Sequence, residues 1–380
     1  MVRLALRKDS PPDLRGRLGA TAGALLAAGV VTLLGALLFM APTMAEIVLL
    51  FGINAILVIG FQVFVGNTGI VSFGHVAFMA VGAYAGGIAA MPVIDKEVTL
   101  PDLPGPLAGF EVGFLPALLI GGAVAALLAL LTGPALMRLS GAAASIATLG
   151  LLIIVSNVLA QATPLTRGPQ SLFGVPENTT FAGVYASLAV VVVLSAWFKW
   201  SAAGLRARAV RDQPAAAEAA GVSVLRSRLW AFVLSAFITG VAGALYAQLL
   251  TAFSPGSFYI PQLVLVIAMA IVGGIGGISG ALLGTAVITV INEVLRKVES
   301  GVSIGGLDIH APSGISFAAL GVALILMLRW RPSGLLGASE VQFEGRTPAP
   351  PEAAPAETGA AESGAAAPPV RSPAEVAAEE

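Results

Sequence analysis

Long apolar runs alternate with a few polar clusters along this chain. A helix needs about 20 apolar residues to cross a hydrocarbon core of about 30 Å. Ten windows qualify or nearly do, at about 18–41, 46–65, 72–91, 114–137, 141–161, 183–199, 229–251, 261–275, 278–295 and 313–330. The eighth is short and reads as tilted or re-entrant; the ninth depends on the same glycine break. The pattern predicts an all-α polytopic membrane protein with about ten transmembrane helices. It divides into an N-terminal arm (1–17), a membrane domain (18–337) containing one sizeable polar loop (199–228), and a tail (338–380). Positions 347–380 are mostly Ala, Pro, Glu, Gly, Ser and Thr with no aromatic residue, so the tail is expected to be disordered.

Composition supports the membrane reading. The set AVILMFWYC makes up 57% of the 380 residues, beside 45 glycines, and only 11% are charged, where soluble domains carry about 25%. A soluble globule could not enclose this much apolar surface. The charges cluster, with seven in 1–17, eight in 199–228 and eleven in 331–380. No cysteine is present, which excludes disulfides, thiolate metal sites and a Cys nucleophile. The two histidines, His75 and His310, form no His-Glu-x-x-His, and no Ser-His-acid set or cofactor lysine is visible. No lysine follows glycine and precedes Ser or Thr as a P-loop requires, so any ATP must be bound by another chain. The reading is of a membrane protein that is not an enzyme, with no cofactor and no nucleic-acid partner.

Basic residues set the expected orientation. With the N-terminus inside, 14 lie near cytoplasmic helix ends and four (Lys96, Arg167, Arg296 and Lys297) lie outside. Ten spans return the C-terminus to the cytoplasm. The first span reads as retained, because its apolar run exceeds a signal h-region and Ala41-Pro42-Thr43 is a poor cleavage site. No strong sequence repeat is visible. Ten spans nevertheless divide as five plus five, and an odd number per half makes any structural repeat inverted. The breaks at 66–69 and 253–257 would then match on opposite faces.

The polar loop carries the first motif. Arg206, Arg208 and Arg211 precede Asp212-Gln213-Pro214-Ala215-Ala216-Ala217-Glu218-Ala219-Ala220-Gly221. Asp212 suits an N-cap, Pro214 a first turn, and Gly221 the left-handed position after a helix. A helix of about eight residues over 213–220 would span about 12 Å. Such a knob can seat in a groove of another protein; the plain alternative is a surface helix with snorkelling arginines.

Residues 204–243, GLRARAVRDQPAAAEAAGVSVLRSRLWAFVLSAFITGVAG, resemble the cytoplasmic loop and following helix of ABC-importer permeases of the branched-chain amino acid type. The resemblance implies that this helix is the coupling helix received by an ATPase subunit, with Arg211, Asp212, Pro214, Ala216, Ala217 and Gly221 in that role. In the family's Glu-Ala-Ala-x-x-x-Gly pattern, Ala216 and Ala217 fall in register, Ala215 replaces the Glu, and Glu218 is out of register.

Residues 66–87, GNTGIVSFGHVAFMAVGAYAGG, resemble the glycine-rich segment of the same permeases, most like the LivM-type subunit. Asn67-Thr68-Gly69 reads as a turn and Ser72 as a helix start whose free N–H groups could hold a substrate carboxylate. The alternative is an ordinary turn near the cytoplasmic face. Asn67, Thr68, Ser72 and His75 are thus candidates for a substrate path or gate. His75 reads either as a functional intramembrane group or as a neutral histidine bonded to a neighbouring helix. Glu46 and Glu293 sit at span ends and read as interfacial.

Residues 269–284 carry the third motif. A dinucleotide fingerprint fails at Ser279; the spacing of Gly273/Gly277 and Gly276/Gly280/Gly284 instead suits close helix packing in lipid. This stretch, with 243–247, Ser254-Pro255 and 331–337, again resembles LivM-type permeases, so the resemblance covers about 45–337. It implies a bacterial plasma (inner) membrane importer with a second related permease subunit, ABC ATPase subunits and an extracytoplasmic solute-binding protein. Leucine, isoleucine or valine is the implied cargo, with urea or short amides still open. The rival class is an ion-coupled secondary transporter or channel, which would need ionisable groups within its spans.

Overall fold

The computed structural model describes residues 4–7, 27–34, 36–37, 44–300, 302–304, 307–309, 314–330, 334–335 and 340–343. Twelve helices matter here: α1 (Ala45–Thr68), α2 (His75–Ala90), α3 (Val93–Thr99), α4 (Phe114–Leu136), α5 (Gly141–Gln161), α6 (Phe181–Trp200), α7 (Ala202–Asp212), α8 (Pro214–Ala219), α9 (Val224–Leu250), α10 (Ile260–Gly273), α11 (Ile278–Ser300) and α12 (Ile315–Trp330). Among the described residues, seven helical stretches are long and apolar enough to cross a membrane: α1, α4, α5, α6, α9, Pro255–Gly273 and Ile278–Lys297. Helix α2 is apolar but has 16 residues, and α12 also has 16. Of the expected first span, residues 27–34 and 36–37 are described, and they are helical.

Helix α1 is the central post, buried from Ile53 to Thr68 except for Asn54. Around it lie α9, α6, α10 and α11, and α2, α4 and α9 form a tight trio. The trio closes on small residues. A Cβ at Gly82 would collide with the Gly240 carbonyl, and one at Gly121 would come 2.7 Å from the Gly82 carbonyl oxygen. Removing side chains lets backbones approach where lipid supplies no hydrophobic drive. Helices α4 and α5 instead show apolar side chains outward, including Leu115, Leu131, Ile146 and Ile154, as lipid-facing helices do.

The chain is not purely helical. Leu4–Arg7 pairs antiparallel with Glu340–Phe343, and Val302–Ile304 with Leu307–Ile309. The arm and the start of the tail therefore contain strand, because Leu4, Leu6, Val341 and Phe343 alternate with polar or small neighbours. The disorder expected over 347–380 lies outside the described residues, as does the unit Gly345–Glu380.

Candidate functional site

The polar loop holds two helices where sequence reasoning expected one. Ser201 caps α7, its Oγ accepting from Gly204 N at 3.2 Å. Gly204, Ala207 and Val210 bury one face of α7. That helix was missed because its apolar face is made of so few, mostly small residues. The expected Asp212 N-cap is corrected: Asp212 is the last residue of α7, and Gln213 stands at the cap of α8. The Asp212 carboxylate is engaged by Arg211 Nε at 3.0 Å. Pro214 opens α8, and Gly221 ends it at φ 79°. Val222 N donates to Ala217 O and Gly221 N to Glu218 O, both at 2.9 Å, which is the paired Schellman closure. Ala217 is buried, while Ala215, Ala216, Glu218 and Ala219 are exposed. Ala217 thus faces the chain's own bundle, and the free face of α8 is carried by Ala216 and its exposed neighbours.

Arg211 reaches away from α8. Its Nη1 donates to Gly66 O at 2.8 Å, and its aliphatic stem lies against Gly69. A cation here complements the negative C-terminal end of α1. The segment 66–69 therefore lies on the same face as the polar loop. Asn67 and Thr68 do not form the expected turn but complete α1, which Gly69 terminates in the left-handed region. Both are buried and bond back one turn, Asn67 Nδ2 to Val63 O and Thr68 Oγ1 to Phe64 O, each at 2.8 Å.

The expected helix start at Ser72 is also corrected, to His75. The intervening chain is held by α5, with Ser145 Oγ donating to Val71 O at 2.6 Å and Phe73 N to Thr148 Oγ1 at 3.0 Å. Ser72 Oγ accepts from Gly74 N at 3.3 Å. His75 is buried, its Nε2 hydrogen-bonded to Ser235 Oγ. Phe61, Phe64, Phe78 and Phe232 surround its ring with centroids 5.3–6.1 Å away. The four candidate path residues thus belong to one joint among α1, α2, α5 and α9, each bonded within the protein.

The glycine motif is a break rather than one continuous stripe. Gly273 ends α10, and Gly274 and Gly276 take φ 103° and 114°. A Cβ at Gly273 would collide with Gly280 O, and one at Gly284 with Met269 O. These three glycines close the α10–α11 hairpin, whereas Gly277 is a buried residue just before α11 whose carbonyl receives Ala281 N at 3.1 Å. Sequence reasoning missed Gln62, whose partners lie 212 and 214 positions away. Its Nε2 donates to Gly274 O at 2.8 Å and its Oε1 accepts from Gly276 N at 2.6 Å. Lys199 Nζ donates to Gly276 O at 3.0 Å, and Leu335 N to Val272 O at 2.9 Å.

At the far end of α1, Glu46, Asn54, Asn292, Glu293 and Arg296 share a pocket of about 220 Å³ with Ile47, Leu50, Leu265 and Met269. Arg296 grips both oxygens of Glu293, at 3.1 and 3.2 Å. On α3, Lys96 is buried and donates to the carbonyls of Leu107 and Phe110. Burial holds its ammonium below the usual lysine range, against the opposing pull of Glu111. Among the described residues no group of three or more His, Cys, Asp or Glu could hold a metal ion.

Residues 43–328 match the family described as branched-chain amino acid transport system, permease component. The chain is 27% identical to the high-affinity branched-chain amino acid transport system permease protein LivM of Salmonella typhimurium, over 77% of this chain and 69% of that protein. It is 25% identical to the LivH permease protein of the same organism, over 76% of this chain and 92% of the relative. A probable LivH permease of Methanocaldococcus jannaschii is 24% identical over 60% of this chain and 72% of the relative. No solved structure matches.

Proposed function

The chain belongs to the branched-chain amino acid permease family and is a permease subunit of an ABC importer; from that premise we propose that α8 is its coupling helix. The observation that carries this reading is the free face of α8 at Ala215, Ala216, Glu218 and Ala219, on a loop tied to the bundle through Arg211 and Gly66. An ATPase subunit receives that face, and ATP-driven closure of two such subunits moves the loop. The helix bundle then exposes its cargo path to the other side. This chain performs no covalent chemistry.

Leucine, isoleucine and valine are the proposed cargo, as the names of its relatives suggest. The pocket near Glu293 and Arg296 offers both charge signs beside apolar walls, which suits a zwitterion with an aliphatic side chain. Similarity to relatives named LivM and LivH supports pairing with a second permease. An extracytoplasmic binding protein delivers the cargo. The apolar windows support about ten spans, the 14-to-4 basic count supports placing both termini in the cytoplasm, and the bacterial relatives support an inner-membrane location. An inverted repeat is consistent with the end of α1 on the loop face and residues 251–257 at the other end of α9.

A cysteine at Ala216 should cross-link to the ATPase and react with an impermeant reagent from the cytoplasmic side alone. The assembled complex in liposomes should accumulate leucine only with ATP. Leucine movement down an ion gradient by this chain without any ATPase would overturn the importer reading, and competition by urea rather than leucine would reassign the cargo.

A further inference from the structure

Gln62 sits inside the apolar run of α1, 5% exposed, where a polar side chain needs partners. Its partners are the backbone groups of the one place where α10 and α11 separate. The amide donates to Gly274 O and accepts from Gly276 N, with Ile275 between them turned outward. This pairing imitates a strand neighbour, bonding residues i and i+2. The break lacks helical partners there, because Gly274 and Gly276 adopt φ values closed to ordinary residues. Backbone groups buried in a membrane protein must be satisfied internally, and Gln62 does so from another helix.

The same few residues meet the polar loop at two points. Lys199, at its start, bonds Gly276 O at 3.0 Å, and Arg211, within it, bonds Gly66 O at 2.8 Å. Gly66 in turn lies against Gly276, since a Cβ on Gly66 would stand 3.0 Å from the Gly276 Cα. Loop, end of α1 and glycine break therefore form one continuous contact.

We propose that Gln62 is a positioning residue for transport: its amide latches the 274–277 break to α1, and the loop, pulling through Arg211 and Lys199, moves latch and break together. The inference rests on the coupling role of the loop. Side-chain bonds suit this task, because they can exchange partners while the helices on either side stay intact. A packing contact alone would fix the break in place.

The test uses the whole importer, purified through a tag on this chain and placed in liposomes, with cargo uptake and ATP hydrolysis measured together. Gln62→Leu removes both bonds. Gln62→Glu keeps the volume but, when ionised, cannot donate to Gly274 O. Both should hydrolyse ATP near the wild-type rate while cargo moved per ATP falls, about tenfold for ionised Gln62→Glu, the equivalent of one lost buried hydrogen bond, and further for Gln62→Leu, which loses two. A protonated Glu both donates and accepts, and burial raises a carboxyl pKa. The Gln62→Glu ratio, normalised to wild type at each pH, should therefore recover as pH falls, and the Gln62→Leu ratio should not. Ratios within twofold of wild type at every pH would overturn the proposal. So would loss of assembly, hydrolysis and uptake in proportion, which marks a structural role. Wild type lacking ATP-dependent uptake would instead sink the importer reading on which the proposal stands.

Discussion

Arg211 and Gly66, 145 positions apart, are joined by a 2.8 Å bond from guanidinium Nη1 to carbonyl oxygen. The carbonyl belongs to the last turn of α1, where intrahelical donors run out. One side chain therefore satisfies the end of the central helix and fixes the loop to it. Arg211→Ala should lose about 1–2 kcal/mol of local stability, as expected for a partly exposed hydrogen bond to a charged group. Uptake should fall more steeply than ATPase co-purification, since α8 itself is untouched. Arg211→Lys retains the charge but not the fork geometry, and should recover only part of the loss. Equal uptake in all three proteins would remove Arg211 from the coupling route.

Gly221 tests the helix that Arg211 leaves free. Its φ of 79° strains any residue with a Cβ, although open space surrounds it. Gly221→Val should cost about 1–2 kcal/mol in that conformation and misplace α8. Gly221→Asn should be milder, as Asn tolerates the left-handed region. ATPase retained on an affinity-tagged chain should decrease in the order Gly, Asn, Val while membrane insertion stays constant. Substitutions on α8 separate by face. Ala216→Arg should block a partner directly, whereas Ala217→Arg should displace the helix from its own bundle. Cysteine accessibility at Glu218 would register that difference.

Seven of the ten expected spans match long apolar helices among the described residues, and these were legible because a run of about 20 apolar residues has few fates other than a membrane helix. Gly221 was legible because alanines followed by glycine state a helix and its end within a few residues. Asn67 and Thr68 misled, since both residue types favour turns in water, yet in an apolar setting their side chains bond the preceding carbonyls and let the helix run on. Gln62 was invisible because its meaning depends on partners over 200 positions away. The four-residue glycine spacing identified close packing at Gly273, Gly280 and Gly284, and the apolar windows placed a break between 275 and 278, but neither showed that Gly274 and Gly276 make the turn at positive φ.

The trio of α2, α4 and α9 gives a packing prediction with an internal control. Gly82→Ala drives a methyl group into the Gly240 carbonyl, backbone against backbone, which neither helix can relieve by a rotamer change. A loss of about 1–3 kcal/mol is expected, with less folded protein recovered in detergent. Gly150, on α5, has nothing within 4 Å of the place a methyl group would take. Gly150→Ala should be neutral or slightly stabilising through helix propensity. Thermal unfolding of both variants in one detergent would check the contrast, and similar midpoints would mean the trio is looser than its contacts suggest.

Lys96 gives a pH dependence whose sign follows from its burial. The ammonium is held below its ordinary range, chiefly by loss of water, while Glu111 opposes the shift. An unfolded lysine titrates near about 10.4. Between the lowered folded value and that point, the unfolded chain binds more protons, so stability contributed by this group rises with pH. Below the folded value the burial penalty is present in full; above about 10.4 it is gone. Lys96→Met removes the titration together with the bonds to the Leu107 and Phe110 carbonyls. The apparent Tm of wild type, measured against Lys96→Met in the same detergent, should therefore climb through the alkaline window and level off near about 10.4. Parallel curves for the two proteins would mean that the ammonium is hydrated and that its bonds to the 105–110 turn do not shield it from solvent.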